Sequence, residues 1–504
     1  MKLSNATLHE LPNSVKVPSY DRSQLTPGIV HIGLGNFHRG HQAWYLHRLM
    51  QEGLAHDWAI IGAGVRPGDT VQRDKLKGQD YLTTLIELRP NETSAEVVGS
   101  MIDFVPVEDD NAALIAQMAD PAIRIVSLTV TEGGYFIDPA TKGFDSHHAD
   151  MIHDAAHPAT PKTAFGAMIA ALKMRRAAGI GAFTCMSCDN LQGNGNVLRQ
   201  TVVSLARMSD ADLAEWIENN STFPNAMVDC IVPATGPNEL KLAQSLGIDD
   251  ASPVTHESFR QWVIEDKFCC GRPDWGKVGA TFTQSVHDYE AMKIRVLNGG
   301  HQIVANAGEV LSIATIAECL AHEQIGAYFE KTAREEILPH LAPAPGMVPT
   351  DYVELIKERF ANPRIVDTTR RVAFDGSSRH PGFVIPSIRD GIAGGTPISG
   401  LALAEAIWAR MCAGQREDGS EIDPNDPFWD DLKATALRAK SSPEVWLAQQ
   451  KYYGNLGENS AFAQVFSGWL RMIWQDGTEA AMAAYIRNDG TVRLNSVEAS
   501  RVVS

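Results

Sequence analysis

Three side chains with acid–base and hydrogen-bonding chemistry, Lys293, Asn298 and His301, lie within nine positions of one apolar helical pattern. At about 100° per residue, Asn298 lies about 140° and His301 about 80° from Lys293, so all three share one side of the predicted helix. Glu290 lies one turn before the lysine. A lysine on such a helix is costly unless it is paired or its pKa is lowered, and a lowered pKa lets it take a proton from an alcohol.

Asn298 could donate a hydrogen bond to the alcohol oxygen as this oxygen gains negative charge. The competing interpretation is a solvated Lys–Arg helix face whose histidine packs on a neighbouring element. Spacing alone leaves both interpretations open.

Composition narrows the classes of partner. The chain has 504 residues, 44% hydrophobic and 21% charged, which predicts two or three domains with large cores. A net charge of -17 argues against nucleic acid and anionic membrane as partners. The N-terminus lacks a signal-peptide core, and no run reaches the ~18 apolar residues of a membrane span. Together with seven cysteines, this predicts reduced thiols in the cytoplasm.

The pattern of apolar segments changes along the chain. Short apolar runs alternate with helical patterns up to about residue 285, which predicts βαβ units and a mainly parallel sheet. Helical periodicity dominates from about residue 289. We therefore predict one domain over residues 1–285 and a mostly helical domain over 286–504, whose last ~20 residues are peripheral. Predicted strands are 29–34, 58–65, 81–88, 124–131, 181–187, 227–232, 261–268 and 278–282. Predicted helices are 41–51, 111–118, 163–176, 196–208, 303–321, 325–338, 352–360, 400–412 and 461–474.

The first predicted strand ends in a Gly-x-Gly turn that is followed by a helix. Gly33 and Gly35 allow a tight turn, so that the amides of Asn36 and Phe37 could meet a pyrophosphate at the helix start. Arg39 could add positive charge, or be an exposed helix arginine. The full fingerprint Gly-x-Gly-x-x-Gly is not met, because His38 stands at the third glycine position.

The second predicted strand ends in Arg66-Pro67-Gly68-Asp69. An acid just beyond this strand commonly binds the adenosine ribose hydroxyls, so Asp69 favours NAD, whereas Arg66 is compatible with NADP. A turn or helix-cap aspartate is the alternative interpretation for Asp69. These features predict an α/β protein with a Rossmann-like N-terminal domain.

Two further polar residues follow predicted strands. Asn190 follows the strand that ends at Ser187, where the ligand crevice of an open α/β sheet lies, and it competes with a helix-cap interpretation. Asp229 lies among apolar residues, so it needs either a structural partner or substrate hydroxyls.

Two other groups of residues were weighed. The turn-rich loop with Arg371 and Arg379 could hold a polyhydroxylated or acidic ligand, or be a structural turn with surface arginines. The Cys185-x-x-Cys188 pair lacks the second pair that a zinc site needs, so we predict buried thiols and no metal.

These motifs together resemble the polyol-specific long-chain dehydrogenase/reductase family, and the resemblance spans nearly the whole chain. The lysine–asparagine–histidine spacing is its most specific part. The matching segments are 33–42, 131–135, 186–191, 223–229, 293–301 and 375–378.

The resemblance implies roles for the site residues. Lys293 matches the general base of the family, and Asn190 and Asn298 match the pair that stabilises the alkoxide. Positions that contact or orient the substrate correspond to His301, Asp229 and Arg371, with Arg379 beside them. Glu290 matches a carboxylate that gates proton escape. The family uses NAD and no metal, and its members commonly act as monomers.

The implied activity is the reversible oxidation of a mannitol- or arabinitol-type polyol to its ketose, in a cleft between the two domains. A hexuronate (fructuronate or tagaturonate) reductase is the main alternative, because arginine can pair with a substrate carboxylate. A third and more remote alternative is a non-catalytic nucleotide- or sugar-binding protein. Three residues depart from the family pattern: Cys230 replaces arginine, Arg379 replaces lysine and Gly68 replaces an acid.

Overall fold

A computed structural model of the chain describes residues 1–138 and 143–488. The chain divides into two units, Met1–His287 and a second that begins at Asp288. The prediction that the last ~20 residues are peripheral falls mainly on residues 489–504, which lie outside the described residues.

The first unit is of the α/β class. Its strands are β1 (Val15–Lys16), β2 (Pro27–Ile32), β3 (Ala59–Ala63), β4 (Thr83–Leu88), β5 (Thr93–Val98), β6 (Met101–Phe104), β7 (Ile125–Leu128), β8 (Thr184–Ser187), β9 (Ala226–Asp229), β10 (Val254–His256), β11 (Gln261–Glu265) and β12 (Thr281–Thr283). Its helices are α1 (Asn36–Gly40), α2 (Gln42–Gln51), α3 (Asp69–Lys77), α4 (Ala112–Ala119), α5 (Ala149–Ala156), α6 (Ala164–Ala177), α7 (Asn194–Ser209), α8 (Ala211–Asn220) and α9 (Pro237–Ser245).

Five of these strands form one parallel sheet in the order β6-β3-β2-β7-β8. The chain moves outward from β2 to β3 and β6, then crosses to the other side for β7 and β8. The topological switch point therefore lies between β2 and β7, where open α/β sheets bind ligands beyond the carboxyl ends of the strands. The predicted mainly parallel sheet is confirmed.

Both faces of this sheet are covered. Val30 and Ile32 of β2 belong to an apolar core that includes Phe165 of α6 and Leu198 of α7. Ile29, on the other face, belongs to a core with the buried side chains of α2. Successive strand residues point to opposite faces, so burial on both sides requires the continuous apolar runs seen in the sequence.

The remaining strands form two smaller sheets, in the orders β1-β5-β4-β10 and β12-β11-β9. The sequence pattern missed β1, β5, β6 and β10. Strands β1 and β10 have only two and three residues, and β5 lacks a regular alternation, since it begins with two polar residues and ends with two apolar ones. Pairings among such short strands depend on partners distant in the chain, which a local pattern does not contain.

Helices dominate the described part of the second unit. They are α10 (His287–Met292), α11 (Gly299–Val310), α12 (Ile316–Ala321), α13 (Glu323–Thr332), α14 (Pro349–Phe360), α15 (Thr369–Val372), α16 (Gly376–Phe383), α17 (Ile385–Gly394), α18 (Ser399–Met411), α19 (Trp429–Ala439), α20 (Glu444–Leu447), α21 (Gln450–Tyr453), α22 (Ser460–Asp476) and α23 (Thr478–Ile486). Within residues 1–138 and 143–488, no helix combines the length and the apolar character of a membrane span.

Three helix predictions were wrong in detail. The helix predicted over 325–338 continues after α13 as a π-helical segment, Ala333–Ile337. The single helix predicted over 303–321 is broken between α11 and α12, where Ser312 has a φ of 62° and Thr315 caps α12 with Glu318. The predicted α-helix around Lys293 contains a π-helical segment, Lys293–Asn298, between α10 and α11.

Candidate active site

A pocket of about 310 Å³ opens at the switch point of the parallel sheet. Segments that follow the carboxyl ends of β2, β3 and β7 form its wall, together with the end of β6 and with α3. This volume falls at the lower end of the range for small-molecule pockets, about 300–1,000 Å³. The lining residues are Ile32, Gly33, Leu34, Gly35, Asn36, Arg39, Val65, Arg66, Asp69, Gln72, Phe104, Thr129, Val130 and Thr131.

The glycines after β2 have separate roles. Gly33 has a φ of 96°, and a Cβ there would collide with the Thr129 carbonyl, so both the backbone conformation and the packing require glycine. Among the described residues, no atom beyond the neighbouring ones in the chain lies within 4 Å of a Cβ placed on Gly35, which leaves its backbone open to a ligand. Gly40 packs α1 close to β10, since a Cβ there would lie 3.3 Å from Val254.

His38, at the third position of the glycine fingerprint, is buried. Its ring stacks on His31 of β2, with 3.4 Å between the centroids. Burial lowers the pKa of His31 to about 3 and holds that of His38 well below its usual range, so the stacked rings are neutral at working pH. The pair closes the space between α1 and the sheet, a task that the fingerprint assigns to a glycine.

Asn36 and Arg39 line the pocket and are tied to each other. Arg39 donates to Asn36 Oδ1 at 2.7 Å and to the Ser252 carbonyl, and burial lowers its pKa to about 10. Its Nε–H is buried and has no hydrogen-bond partner among the described residues. Phe37 is not part of the pocket lining, because its ring stacks on His41 with 5.0 Å between the centroids. The structure therefore brings Gly33, Gly35, Asn36 and Arg39 together but leaves Phe37 outside the pocket.

Asp69 begins α3 and accepts a hydrogen bond from the Arg66 backbone at Oδ2, 3.0 Å away. Its carboxylate packs against Gly64, where any Cβ would displace it. The aspartate thus holds the turn that precedes its helix and also lines the pocket, so the two interpretations of Asp69 are compatible.

Asn190 and Asp229 also follow strands of the first unit. Asn190 lies beyond β8 with an exposed side chain, whereas Asp229 ends β9 and is 4% exposed. Asn194 connects these strands, because its side-chain amide donates to the Asp189 and Ala226 carbonyls at 3.0 and 2.7 Å. The two predicted residues are therefore held on neighbouring segments of one unit.

In the second unit, Lys293 and Asn298 delimit the π-helical segment, and both are buried, at 6% and 7% exposure. The Gly299 N–H bonds to the carbonyl of Ile294, five residues earlier. A π-helical turn contains more residues than an α-helical turn, so the angle between successive side chains is smaller. The angle between Lys293 and Asn298 is therefore smaller than the about 140° that separates residues five apart in an α-helix. Such segments often occur at functional sites.

Glu290 and His301 flank this segment. Glu290 lies in α10 and is 5% exposed. His301 lies in the first turn of α11, and its ring stacks on Phe360 of α14 with 4.2 Å between the centroids. The histidine of the lysine–asparagine–histidine motif is therefore oriented by an aromatic ring that sequence spacing did not indicate.

The two predicted arginines differ in their surroundings. Arg371 is 64% exposed at its side chain and donates to both carboxylate oxygens of the buried Asp367, at 2.8 and 2.6 Å. Arg379 donates to the Val372 carbonyl at 2.6 Å, and Gln302 of α11 donates to the same oxygen at 3.0 Å. The turn-rich loop predicted for the two arginines is wrong, because Arg371 lies in α15 and Arg379 in α16. The Gln302 contact links the end of α15 to the helix that follows the π-helical segment.

All seven cysteines are free thiols. The described residues contain no group of three or more histidine, cysteine or acidic side chains arranged to hold a metal ion.

The sequence interpretation missed the wall that β7 contributes to the pocket, Thr129–Thr131, and the helix residue Gln72. Thr131 begins one of the segments on which the family resemblance rests, so a signal for it existed. Gln72 carried none, because its position depends on how α3 packs on the sheet.

Comparison with known proteins extends over most of the chain. The family model described as "Mannitol dehydrogenase Rossmann domain" matches residues 27–277, and "Mannitol dehydrogenase C-terminal domain" matches residues 285–474. Mannitol 2-dehydrogenase from Cereibacter sphaeroides is 54% identical over 476 residues, which covers 94% of this chain and 100% of the relative.

Two solved structures are similar over nearly their full length. One is Pseudomonas fluorescens mannitol 2-dehydrogenase in a ternary complex with NAD and D-mannitol, with a TM-score of 0.88 and 41% identity over 97% of this chain and 100% of that one. The other is a substrate-free D-sorbitol dehydrogenase, with a TM-score of 0.87 and 34% identity over 95% and 100%.

Proposed function

Because the chain belongs to the mannitol dehydrogenase family, we propose that it reversibly oxidises a secondary alcohol of a mannitol- or arabinitol-type polyol to the ketose, with NAD as hydride acceptor. Residues 1–285 bind the dinucleotide in this proposal, and residues 286–504 supply the base and most substrate contacts. The observation that carries it is the pocket at the β2–β7 switch point, lined by Gly33, Gly35 and Asp69.

The residues of this pocket fit a dinucleotide. The open side of Gly35 leaves room for a pyrophosphate next to the backbone, and the guanidinium of Arg39 adds positive charge to the pocket wall. Asp69 has an acceptor position for ribose hydroxyls in addition to the oxygen that accepts from the Arg66 N–H. Arg66 lines the same pocket, so NADP is a second coenzyme to test.

Lys293 acts as the general base in this mechanism. Its amine would take the proton of the substrate hydroxyl. NAD, held by the pocket that Gly33, Gly35 and Asp69 line, would supply the hydride acceptor for the carbon that bears this hydroxyl. One C–H bond and one O–H bond break as the carbonyl forms. The proton would go to Lys293, and the electron pair would go to the coenzyme as part of the hydride. A buried lysine suits this task without a metal, because burial disfavours its charged form.

The oxygen gains negative charge when its proton leaves. We assign Asn190 and Asn298 to donate hydrogen bonds to it, since preorganised donors are most effective where charge develops. His301 orients the same hydroxyl in this assignment, and its stacking on Phe360 restricts its ring. Glu290, near the lysine in α10, is assigned to pass the proton towards solvent.

The remaining substrate hydroxyls are assigned to Asp229, Arg371 and Arg379. A carboxylate accepts bonds from hydroxyls, and the planar guanidinium groups donate to them. Arg371 is already oriented by Asp367, which lowers the entropic cost of using it.

The test is a panel of substrates assayed with both coenzymes. Mannitol, arabinitol and sorbitol are assayed for oxidation, and the corresponding ketoses and fructuronate are assayed for reduction. We expect NAD-linked turnover of at least one polyol and its ketose. Turnover of fructuronate alone would show the hexuronate reductase instead, for which Arg379 in place of lysine is the supporting residue. A protein that binds NADH but turns over no substrate of the panel would be a binding protein.

We further propose a metal-independent monomer in the cytoplasm, on the basis of the family resemblance and the free thiols. Dialysis against EDTA should leave the initial rate unchanged, because a lysine base replaces the metal that would otherwise acidify the alcohol. Loss of the rate with recovery on adding Zn²⁺ would contradict this. Matched dialysis without chelator is the control, and the elution volume of the active peak reports the oligomeric state.

A further inference from the structure

Asp189, which no proposed step uses, ties three parts of the first unit together. Its carboxylate accepts hydrogen bonds from the Val130 N–H and the Thr131 N–H, both at 3.0 Å, and from the Tyr135 hydroxyl at 2.7 Å. The residue is 8% exposed. Charge-assisted bonds in such a protected setting are strong and directional.

Thr131 has a backbone conformation that it would not adopt without support. Its φ is 68° and its ψ is 163°, an outlier for a β-branched residue. Such conformations persist where the surrounding structure over-determines them, and they cluster at ligand-binding sites. The Asp189 carboxylate supplies that support, because Oδ1 accepts the N–H of the strained residue itself.

The location of these bonds connects two functional regions. Thr131 and Val130 line the dinucleotide pocket beyond β7. Asp189 lies beyond the adjacent strand β8, immediately before Asn190. Its main chain is held as well, since Asn194 donates to the Asp189 carbonyl at 3.0 Å. A single residue thus joins the pocket wall to the segment that carries Asn190.

We propose that Asp189 is a positioning residue that sets the wall of the dinucleotide pocket at Thr131 and the position of Asn190 at the same time. This inference rests on the proposed function. It predicts that loss of the carboxylate changes dinucleotide affinity and turnover together, although the proposed mechanism gives Asp189 no step. A purely structural carboxylate would change only the fraction of protein that is folded.

The test is Asp189→Asn. The amide keeps the shape, but its NH2 group faces an N–H donor and removes at least one acceptor position. We expect the Kd for NADH, from fluorescence titration, to rise about tenfold, and kcat to fall with it, as expected for lost bonds to a charged group. The kcat is referred to the concentration of NADH-binding sites, so that unfolded protein does not contribute.

Asp154→Asn is the matched control. Asp154 is equally buried in α5 and also accepts two backbone N–H groups and one hydroxyl, from Lys162 and Thr163, but it does not line the pocket. We expect a comparable loss of Tm in both variants but an unchanged Kd and site-referred kcat in the control.

If Asp189→Asn fails to fold, Tyr135→Phe decides, because it removes one of the three bonds and keeps both backbone bonds. We expect a rise of Kd in the same direction, about threefold. A folded Asp189→Asn, or otherwise Tyr135→Phe, with wild-type Kd and kcat overturns the inference. Failure of the wild-type protein to bind NADH overturns the proposed function and the inference with it, and is seen before any variant is made.

Discussion

Lys293 and Asn298 are the first and last residues of one π-helical segment, and the Gly299 N–H that follows bonds to the carbonyl five residues earlier. The segment brings two residues five apart in sequence closer to one face than an α-helix of the same residues would. Neighbouring Val296 and Leu297 are buried, so the side-chain pattern holds the segment in place.

We expect Lys293→Ala to retain NADH binding and to lose about 10²- to 10⁴-fold in kcat, the range that a positioned general base contributes. Fluorescence titration and initial rates measure the two quantities. Arg295→Met is the control, because Arg295 lies in the same segment but donates to Ser387 and Asp390 and has no assigned role. A rate for Lys293→Ala within a few fold of wild type would remove the lysine from the mechanism.

Arg371 depends on Asp367 for its orientation. Asp367→Asn removes one acceptor of the two-bond contact, so we expect KM for the polyol to rise about tenfold, with a smaller change in kcat. Arg371→Lys should behave alike, because lysine cannot make the planar contact. Arg370→Lys, next in the chain, should leave KM unchanged. An unaltered KM in both Asp367→Asn and Arg371→Lys would show that Arg371 does not contact the substrate.

Coenzyme choice should depend on the charge at the start of α3. Asp69→Asn retains an acceptor for the Arg66 N–H but loses the negative charge, so we expect the preference for NAD over NADP in kcat/KM to fall about tenfold. Gly68→Glu should raise this preference, because a Cβ at Gly68 has open space around it among the described residues and the added carboxylate would repel a 2′-phosphate. An unchanged ratio in both variants would place the adenosine ribose elsewhere.

Buried neutral histidines should make the protein labile to acid. Burial lowers the pKa of His31 to about 3, and burial together with Arg260 does the same for His256. An unfolded histidine titrates near about 6.5, so below that pH the unfolded chain binds protons that the folded one does not. Stability is therefore highest above about pH 6.5 and falls by about 1.4 kcal/mol per pH unit for each histidine as the pH drops towards about 3.

His256→Asn removes one of these titrating groups. We expect the loss of Tm between pH 7.5 and 5 to be smaller in this variant than in the wild type, as measured by scanning fluorimetry. His9→Asn, at an exposed position, serves as the control and should retain the full loss. An equal loss of Tm in the wild type and in His256→Asn would contradict the prediction.

Long periodic segments were predicted well. The alternating α/β part, the mostly helical part and the family were all expected from the sequence, and the fold class and the family are confirmed. Strand β2 illustrates the reason, since a continuous apolar run that ends in Gly33 is required by burial on both faces and by a positive φ. The assigned roles of Lys293, Asn298 and the other site residues remain predictions.

Features that depend on distant contacts were not predicted. Strands β1 and β10 exist through their pairings with β5 and β4, and the stacking of the Phe37 ring on His41 had no signal in the sequence. His38 shows the same limit, because its stacking partner His31 is seven residues away on a different element. The spacing of residues along the chain does not specify which strand a segment pairs with or which ring a side chain stacks on.

By itself, the sequence determined the chemical types that this protein has at its disposal and the elements that carry them, because periodicity and glycine placement are local properties. Only the tertiary structure decided the geometry. The π-helical turn from Lys293 to Asn298, the grip of Asp367 on Arg371 and the strained Thr131 held by Asp189 each depend on packing and hydrogen bonds that form only when separate segments meet.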